Sequence, residues 1–151
     1  MKLALFTKDV QQLKTEALVI GFYEGLDSED ISKYDELSEG LLSELIRDKD
    51  FNGKFGKISI LRLKGKVKKL IVLGLGKRNE FNINKAREIS GKVALFARDN
   101  GVQELSFILF DDLNPYDAAY SIIEGAKLAL YQFLDFKTQG MEDVKTIKNF
   151  T

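Results

Sequence analysis

Apolar residues along this chain form short runs that alternate with stretches of helical spacing. The runs at 2–6, 17–22, 70–75 and 105–110 predict strands. The run at 17–22 is apolar on both alternating faces, which is typical of a strand in a sheet that helices cover on both sides. The order of strands and helices therefore predicts an α/β fold, with three α/β/α layers around a mixed, mainly parallel central sheet.

One hairpin interrupts this alternation. Residues 58–63 alternate in character and predict a strand. A lysine-rich turn around Gly65 separates them from the apolar run at 70–75. Two such runs joined by a short loop that contains glycine are typical of a β-hairpin.

Two helices are predicted in the first hundred residues. The spacing of leucine and isoleucine at 36–47 predicts the first helix. The second begins at a capping Asn82 or Asn84 and ends at Asn100 and Gly101, a pair typical of a helix C-terminus. The predicted core positions of the second helix are Ala86, Ile89, Val93, Phe96 and Ala97.

A longer helix is predicted to begin at Asn114 and Pro115, because proline is tolerated at the first helical position. It is expected to run to about Phe136. Gly125 in its interior costs about 1 kcal/mol relative to alanine, so we expect a close packing contact there. Residues 144–150 follow as a final strand or as the start of a further segment. The predicted apolar face of this helix holds Ala119, Ile122, Ala126, Leu130 and Phe133.

The composition excludes several kinds of chemistry. The chain has 151 residues and a mass of 17.1 kDa, which is the size of one domain. It contains no His and no Cys, which excludes a Ser-His-Asp or Cys-His centre, a Cys/His zinc site and a disulfide within these residues. A metal site made only of carboxylates stays open. The absence of Cys and of a long apolar run favours a cytoplasmic protein that does not enter a membrane.

Charge is unevenly distributed although the net charge is zero. Residues 24–50 hold ten acids and three bases, whereas residues 51–79 hold nine bases and no acid. A basic hairpin at 54–69 is a candidate surface for nucleic-acid phosphates. Lysines also protect the edge of a sheet from pairing with another chain, and they can face the acidic segment within the domain or across a subunit contact; we favour these structural interpretations. The candidate surface consists of Lys54, Lys57, Arg62, Lys64, Lys66, Lys68 and Lys69.

Two short motifs are candidates for chemistry. Gly74, Gly76 and Lys77 follow a predicted strand, where phosphate-binding loops occur, but the pattern is incomplete and favours a tight turn. Asp111 and Asp112 are a candidate carboxylate pair for metal or acid–base chemistry. Acidic residues are also common between a strand and a helix start, so we interpret both motifs as structural.

Several segments together resemble the N-terminal domain of the leucine (cytosol) aminopeptidase family. Residues 70–77 resemble its strand and "GLGK" turn, and Arg87 matches its helical arginine. Residues 124–133 resemble its "EG-x-x-L-x-x-Y-x-F" helix, and 135–138 resemble the "D-x-Y-K-S" end of that helix. Residues 51–56 resemble its "F-x-G-K-x-G" segment. These motifs occur in the family's order and cover nearly the whole chain.

This resemblance implies a parent enzyme that is a two-metal exopeptidase, uses zinc or manganese, and releases N-terminal amino acids from peptides. Its metal ligands and catalytic residues lie in a larger C-terminal domain, around an N-T-D-A-E-G-R-L motif that this chain lacks. We therefore expect no catalytic, cofactor-binding or metal-binding residue here. We expect residues 1–140 to form the N-terminal domain and residues 141–151 to begin the linker to a missing catalytic domain.

The resemblance also implies partners. The family's enzymes are hexamers in which N-terminal domains help to join trimers, and some members bind DNA. The leading hypothesis is therefore a non-catalytic domain that supports assembly. The alternative is a stand-alone nucleic-acid or nucleotide-binding module that uses the hairpin at 54–69. A self-contained hydrolase that uses Asp111 and Asp112 is the least supported hypothesis.

The family's N-terminal domain is similar in turn to macro domains, which bind ADP-ribose. Residues 16–23 keep the strand pattern of the macro-domain motif "D-A-I-V-N-A-A-N". They lack the asparagines that contact the ligand. We therefore expect a macro-like fold without ADP-ribose binding.

Overall fold

A six-stranded sheet forms the centre of the computed structural model, which describes residues 1–131 and 145–151. The spatial order of the strands is β1-β6-β5-β2-β4-β3, and every neighbouring pair is parallel except the antiparallel pair β3–β4. The strands are β1 (Lys2–Leu3), β2 (Thr15–Tyr23), β3 (Ile58–Arg62), β4 (Val67–Gly76), β5 (Glu104–Phe107) and β6 (Asn149–Phe150). The helices are α1 (Ser28–Asp35), α2 (Leu41–Arg47), α3 (Ile83–Asp99) and α4 (Pro115–Leu130).

Helices cover both faces of the sheet. Alternate residues of β2 point to opposite faces, so Ala17 and Val19 pack with α3 and α4, whereas Leu18 and Ile20 pack with α1 and α2. All four side chains are essentially inaccessible to solvent. The predicted three-layer α/β/α fold with a mixed, mainly parallel sheet is confirmed.

The predicted hairpin is present as β3 and β4, and β4 is longer at its start than the apolar run indicated. Two other strands are shorter than predicted. The first ends at Leu3 instead of residue 6, although the Ala4 amide still donates to the Phe150 carbonyl. The strand predicted at 105–110 is β5, and the chain beyond it turns toward α4. In both segments the apolar residues continue beyond the paired ones, and these additional apolar residues line a groove on the surface.

The helix predicted at 36–47 is wrong over its first five residues. Residues 36–40 form turns, since Glu39 and Gly40 have φ angles of 54° and 84°, outside the range of a right-handed helix. Two side chains stabilise this interruption between α1 and α2 through hydrogen bonds. The Asp35 carboxylate accepts from the amide and hydroxyl of Ser43, and the Ser38 hydroxyl accepts from the Leu42 amide. The apolar spacing alone does not reveal these local hydrogen bonds.

The remaining helix boundaries follow the capping residues. Asn82 caps α3 and accepts from the amides of Asn84 and Lys85, so the choice between the two asparagines is settled in favour of Asn82. Asn100 and Gly101 end α3 as predicted. The predicted core positions of α3 are fully buried except Phe96, which is partly exposed and packs against the core.

Helix α4 begins at the predicted Asn114 cap and ends at Leu130. Its buried face is rotated from the predicted one. Of the predicted positions, Ile122 and Ala126 are buried, whereas Ala119 and Leu130 are only partly so. Phe133 and Phe136 lie outside the described residues. The buried side chains of α4 belong to Ala118, Ser121, Ile122, Gly125 and Ala126.

The expected packing contact at Gly125 is present. A β-carbon at this position would collide with the carbonyl oxygen of Arg87 on α3, and one at Gly91 would press on α4. The side chains of Arg87 and Glu124 form an ion pair beside this contact. The helices therefore pack closely because both contribute a glycine at their crossing.

Of the alternatives left open for residues 144–150, the final strand is observed at β6, between β1 and β5. The division between a domain at 1–140 and a linker at 141–151 stays a prediction. Residues 149 and 150 themselves belong to the sheet. Within the described parts of the chain, none of the helices has the length and apolar character that crossing a membrane requires.

Candidate functional site

A crevice opens at the carboxyl ends of β2, β4 and β5. The connection after β2 runs over one face of the sheet through α1, whereas the connection after β5 runs over the other face through α4. Such a change of side is the usual position of ligand sites in open α/β sheets. A pocket of about 190 Å³ lies here. It is lined by Gly21, Phe22, Tyr23, Asp30, Lys33, Tyr34, Leu75, Arg78, Ile108, Leu109, Phe110, Asp111 and Asp112.

Three polar side chains interact in this crevice. The guanidinium carbon of Arg78 lies 4.3 Å from the centroid of the Tyr23 ring. Arg78 Nη1 also donates to both carboxylate oxygens of Asp112, at 2.9 and 2.8 Å. The Tyr23 hydroxyl is buried and has no hydrogen-bond partner among the described residues. Burial raises the pKa of this hydroxyl, and the nearby carboxylate of Asp112 raises it further, so it remains a hydrogen-bond donor at neutral pH.

The Asp112 carboxylate is therefore paired with Arg78. Asp111 precedes Asp112 in the chain, and its side chain is exposed. Among residues 1–131 and 145–151, no three carboxylate side chains converge in a way that could hold a metal ion. The arrangement at Asp111 and Asp112 offers an ion pair with Arg78 and one exposed carboxylate.

The glycines of the "GLGK" segment have a structural role. Gly74 and Gly76 lie within β4 rather than in a turn after it, and their amides donate to the carbonyls of Lys57 and Gly53 at 2.8 and 2.9 Å. A β-carbon on Gly74 would collide with the carbonyl oxygen of Lys54. These glycines allow the 53–57 segment to pack against the strand, and their amides are not directed at a phosphate.

The basic hairpin lies at one edge of the sheet, because β3 is the last strand in the order. Six of its seven candidate cations are exposed. None of the salt bridges between described residues joins segment 51–79 to the acidic segment 24–50. These six cations are distributed along the length of this edge, with Lys54 and Lys57 near the carboxyl end of β4 and the others toward the hairpin loop. The exposed members are Lys54, Lys57, Arg62, Lys64, Lys66 and Lys68.

Lys69 is the member that the structure separates from this group. Its ammonium lies 3.0 Å from the Glu16 carboxylate, and its side chain is only 17% exposed. Glu16 also accepts from the amides of Gln103 and Glu104 at 2.8 and 3.3 Å. Burial raises the pKa of the Glu16 carboxyl, but these hydrogen bonds and Lys69 together hold it below its usual value. Lys69 therefore helps to join β4, β2 and β5.

An apolar groove of about 470 Å³ lies near the opposite edge of the sheet from the hairpin, beside β1, β6 and β5. The N-terminal segment 3–13 forms one wall, α4 forms another, and β6 closes the end. Leu5 is 78% exposed at its rim, and Leu3 is 45% exposed. The groove thus places several exposed apolar side chains next to one another. The lining includes Leu3, Leu5, Phe6, Val10, Leu13, Phe107, Ile108, Leu109, Ile122, Ile123 and Phe150.

Neither the crevice nor the groove is predicted from the sequence pattern. The crevice had a usable signal, because Tyr23, Arg78 and Asp112 each follow a predicted strand of a parallel sheet, and such ends meet at one edge. The groove had a weaker signal in the apolar residues 3–6, which the pattern assigns to a strand. Their exposure depends on how few of them pair with β6, and the pattern does not contain that information.

Comparison with solved structures first defines the class of fold. A mutant of tomato leucine aminopeptidase aligns with 100% of this chain and 32% of its own, with a TM-score of 0.74 and 19% identity. A Trypanosoma brucei macrodomain in complex with ADP-ribose aligns with 98% of this chain and 62% of its own, with a TM-score of 0.66 and 15% identity. The chain thus has the α/β fold that macrodomains share, as predicted.

Sequence comparison then gives the family. Residues 19–140 match the cytosol aminopeptidase family, N-terminal domain. A probable cytosol aminopeptidase of Alkaliphilus metalliredigens (strain QYMF) is 32% identical over 154 residues, which cover 97% of this chain and 31% of that protein. The chain belongs to the cytosol aminopeptidase family and corresponds to its N-terminal domain. It spans about a third of the length of this curated relative.

Proposed function

We propose that this chain is a non-catalytic domain that supports the oligomeric assembly of a cytosol aminopeptidase. The observation that carries the proposal is the apolar groove between residues 3–13 and α4, since its exposed apolar side chains gain free energy when a partner removes them from water. A second copy of the chain is the partner that a symmetric assembly provides, because the same patch then serves on both sides of the contact.

The parent protein has the wider activity. Relatives about three times as long carry the name cytosol aminopeptidase, and this chain corresponds to their N-terminal domain. We propose that the parent releases N-terminal amino acids from peptides, uses two divalent ions of zinc or manganese, and forms a hexamer in the cytoplasm. Its metals would be held by its own C-terminal catalytic domain, because the described residues of this chain offer no carboxylate cluster that fits them.

Sedimentation equilibrium of the purified chain tests the assembly proposal. We expect the average mass to rise above 17.1 kDa with increasing protein concentration. Leu5→Glu places a charge at the rim of the groove and should return the chain to a monomer. The matched control is Leu128→Glu, since Leu128 is also exposed, at 66%, but lies outside the groove. A monomer at every concentration, or equal effects of the two substitutions, would contradict the proposal.

Nucleic-acid binding by the hairpin at 54–69 is a second candidate function. It is favoured by the six exposed cations at one edge of the sheet, in a segment without acidic residues. A gel-shift titration with double-stranded DNA should show binding that weakens steeply as salt rises. Lys64→Glu with Lys66→Glu should abolish that binding, whereas Lys127→Glu on α4 should not. Binding that is insensitive to salt would count against phosphate contacts.

A further inference from the structure

The crevice at the carboxyl ends of β2, β4 and β5 offers hydrogen-bond donors that the fold itself leaves unused. The Tyr23 hydroxyl is shielded from solvent beside the Asp112 carboxylate, so the donors open to a ligand belong to other side chains. Arg78 is held in place by the Tyr23 ring and by Asp112. Both of its bonds to Asp112 use Nη1, so Nε and Nη2 can donate to a ligand. Lys33 lines the same pocket. These groups together suit a carboxylate.

The same pocket also carries the opposite charge. Asp30 and Asp111 line it with exposed side chains, in addition to the paired Asp112. With Lys33 and Arg78, the lining holds three acids and two bases. A ligand that carries only negative charge would meet the acidic side chains at close range, and a simple cation would meet the bases. A ligand with an ammonium and a carboxylate group satisfies both.

Size and apolar surface narrow the class of ligand further. The volume of about 190 Å³ is below the roughly 300–1,000 Å³ typical of sites for drug-sized ligands, so a dinucleotide does not fit within it. Phe22, Leu75 and Ile108 give the pocket apolar walls. These walls suit a short aliphatic or aromatic side chain.

We propose that this crevice binds a free α-amino acid, with Arg78 and Lys33 donating to its carboxylate and Asp30 and Asp111 accepting from its ammonium group. The proposal that the crevice binds an amino acid does not depend on what the parent protein does. An aminopeptidase releases free amino acids as products, so binding here would also make the domain a sensor of product. This role as a sensor rests on the proposed function.

Titration of the ¹⁵N-labelled chain with L-leucine, followed by NMR, tests the proposal. We expect saturable shifts at the backbone amides of Tyr23, Arg78 and Asp112. N-acetyl-L-leucine lacks the ammonium group and L-leucinamide lacks the carboxylate, so each should bind at least about tenfold more weakly. Equal binding of either analogue, saturation by inorganic phosphate or ADP-ribose instead of leucine, or no saturable shift would overturn the proposal.

Two pairs of variants locate the site. Arg78→Gln removes the guanidinium group from the pocket and should weaken leucine binding about tenfold, whereas Arg62→Gln, at an exposed arginine of β3 outside the pocket, should leave it unchanged. Asp111→Asn should weaken binding likewise, and Glu36→Gln is its matched control outside the pocket. Unchanged affinity in both pocket variants would overturn the assignment. Because binding is measured on the single chain, these results stand apart from the sedimentation result that tests assembly.

Discussion

At the scale of single residues, the charged side chains of this chain divide into those that hold the sheet together and those that remain at its edge. Glu16 and Lys69 belong to the first group although 53 positions separate them in sequence. The sequence places Lys69 among the basic residues of the hairpin, because charge along a chain is visible and pairing across a sheet is not. Strand register decides which lysine of the hairpin meets an acid.

The lowered pKa of Glu16 makes a prediction about pH. A carboxyl with a folded pKa below its unfolded value stabilises the fold above the ordinary pKa of 4.5, and this contribution is lost as the pH falls through the folded value. We expect Glu16→Gln to lower the free energy of unfolding at pH 7. The difference from the unsubstituted chain should shrink as the pH falls below 4.5.

Urea denaturation of the two proteins at a series of pH values measures this difference. Glu36→Gln, at an exposed position on the surface, is the control and should change stability little at any pH. A difference between Glu16→Gln and the unsubstituted chain that stays constant from pH 7 to acid would contradict the role given to the carboxylate.

At the scale of elements, the apolar pattern predicts the strands and helices that form the centre of the domain, and it fails where local hydrogen bonds override it. The run at 17–22 identifies β2 because a strand buried on both faces needs apolar residues at every position. Residues 36–40 fit a helical spacing equally well, but Ser38 and Asp35 bond backbone and side-chain groups of α2 and end the helical geometry. Such a break depends on side-chain contacts that a hydrophobic pattern does not record.

The crossing of α3 and α4 gives a prediction at this scale. Gly125→Ala should improve helix propensity, yet the added methyl collides with the Arg87 carbonyl, and overpacking of this kind costs about 1–3 kcal/mol. We therefore expect a net loss of stability, measured by urea or thermal denaturation. Gly65→Ala is the control, because no other atom lies within 4 Å of a β-carbon there. Equal stability of the two variants would show that the helices separate without cost.

At the scale of the whole molecule, the family and the fold can be predicted from the sequence, whereas the crevice and the groove cannot. The motifs at 51–56, 70–77 and 124–133 carry the family resemblance, and their glycines serve close packing of the backbone. The crevice and the groove each join segments that are far apart in the chain. Tyr23 and Asp112, for example, meet only because β2 and β5 are neighbours in the sheet. Three-dimensional proximity of this kind is set by strand order, which the sequence pattern leaves open.

The chain belongs to the cytosol aminopeptidase family, and its proposed non-catalytic role predicts that the isolated chain has no peptidase activity. The most direct measurement is the release of p-nitroaniline from leucine p-nitroanilide by the purified chain, with zinc or manganese added. We predict no release above that of the buffer with either metal. Metal-dependent release that Asp111→Asn or Asp112→Asn abolishes in a folded chain would contradict the claim.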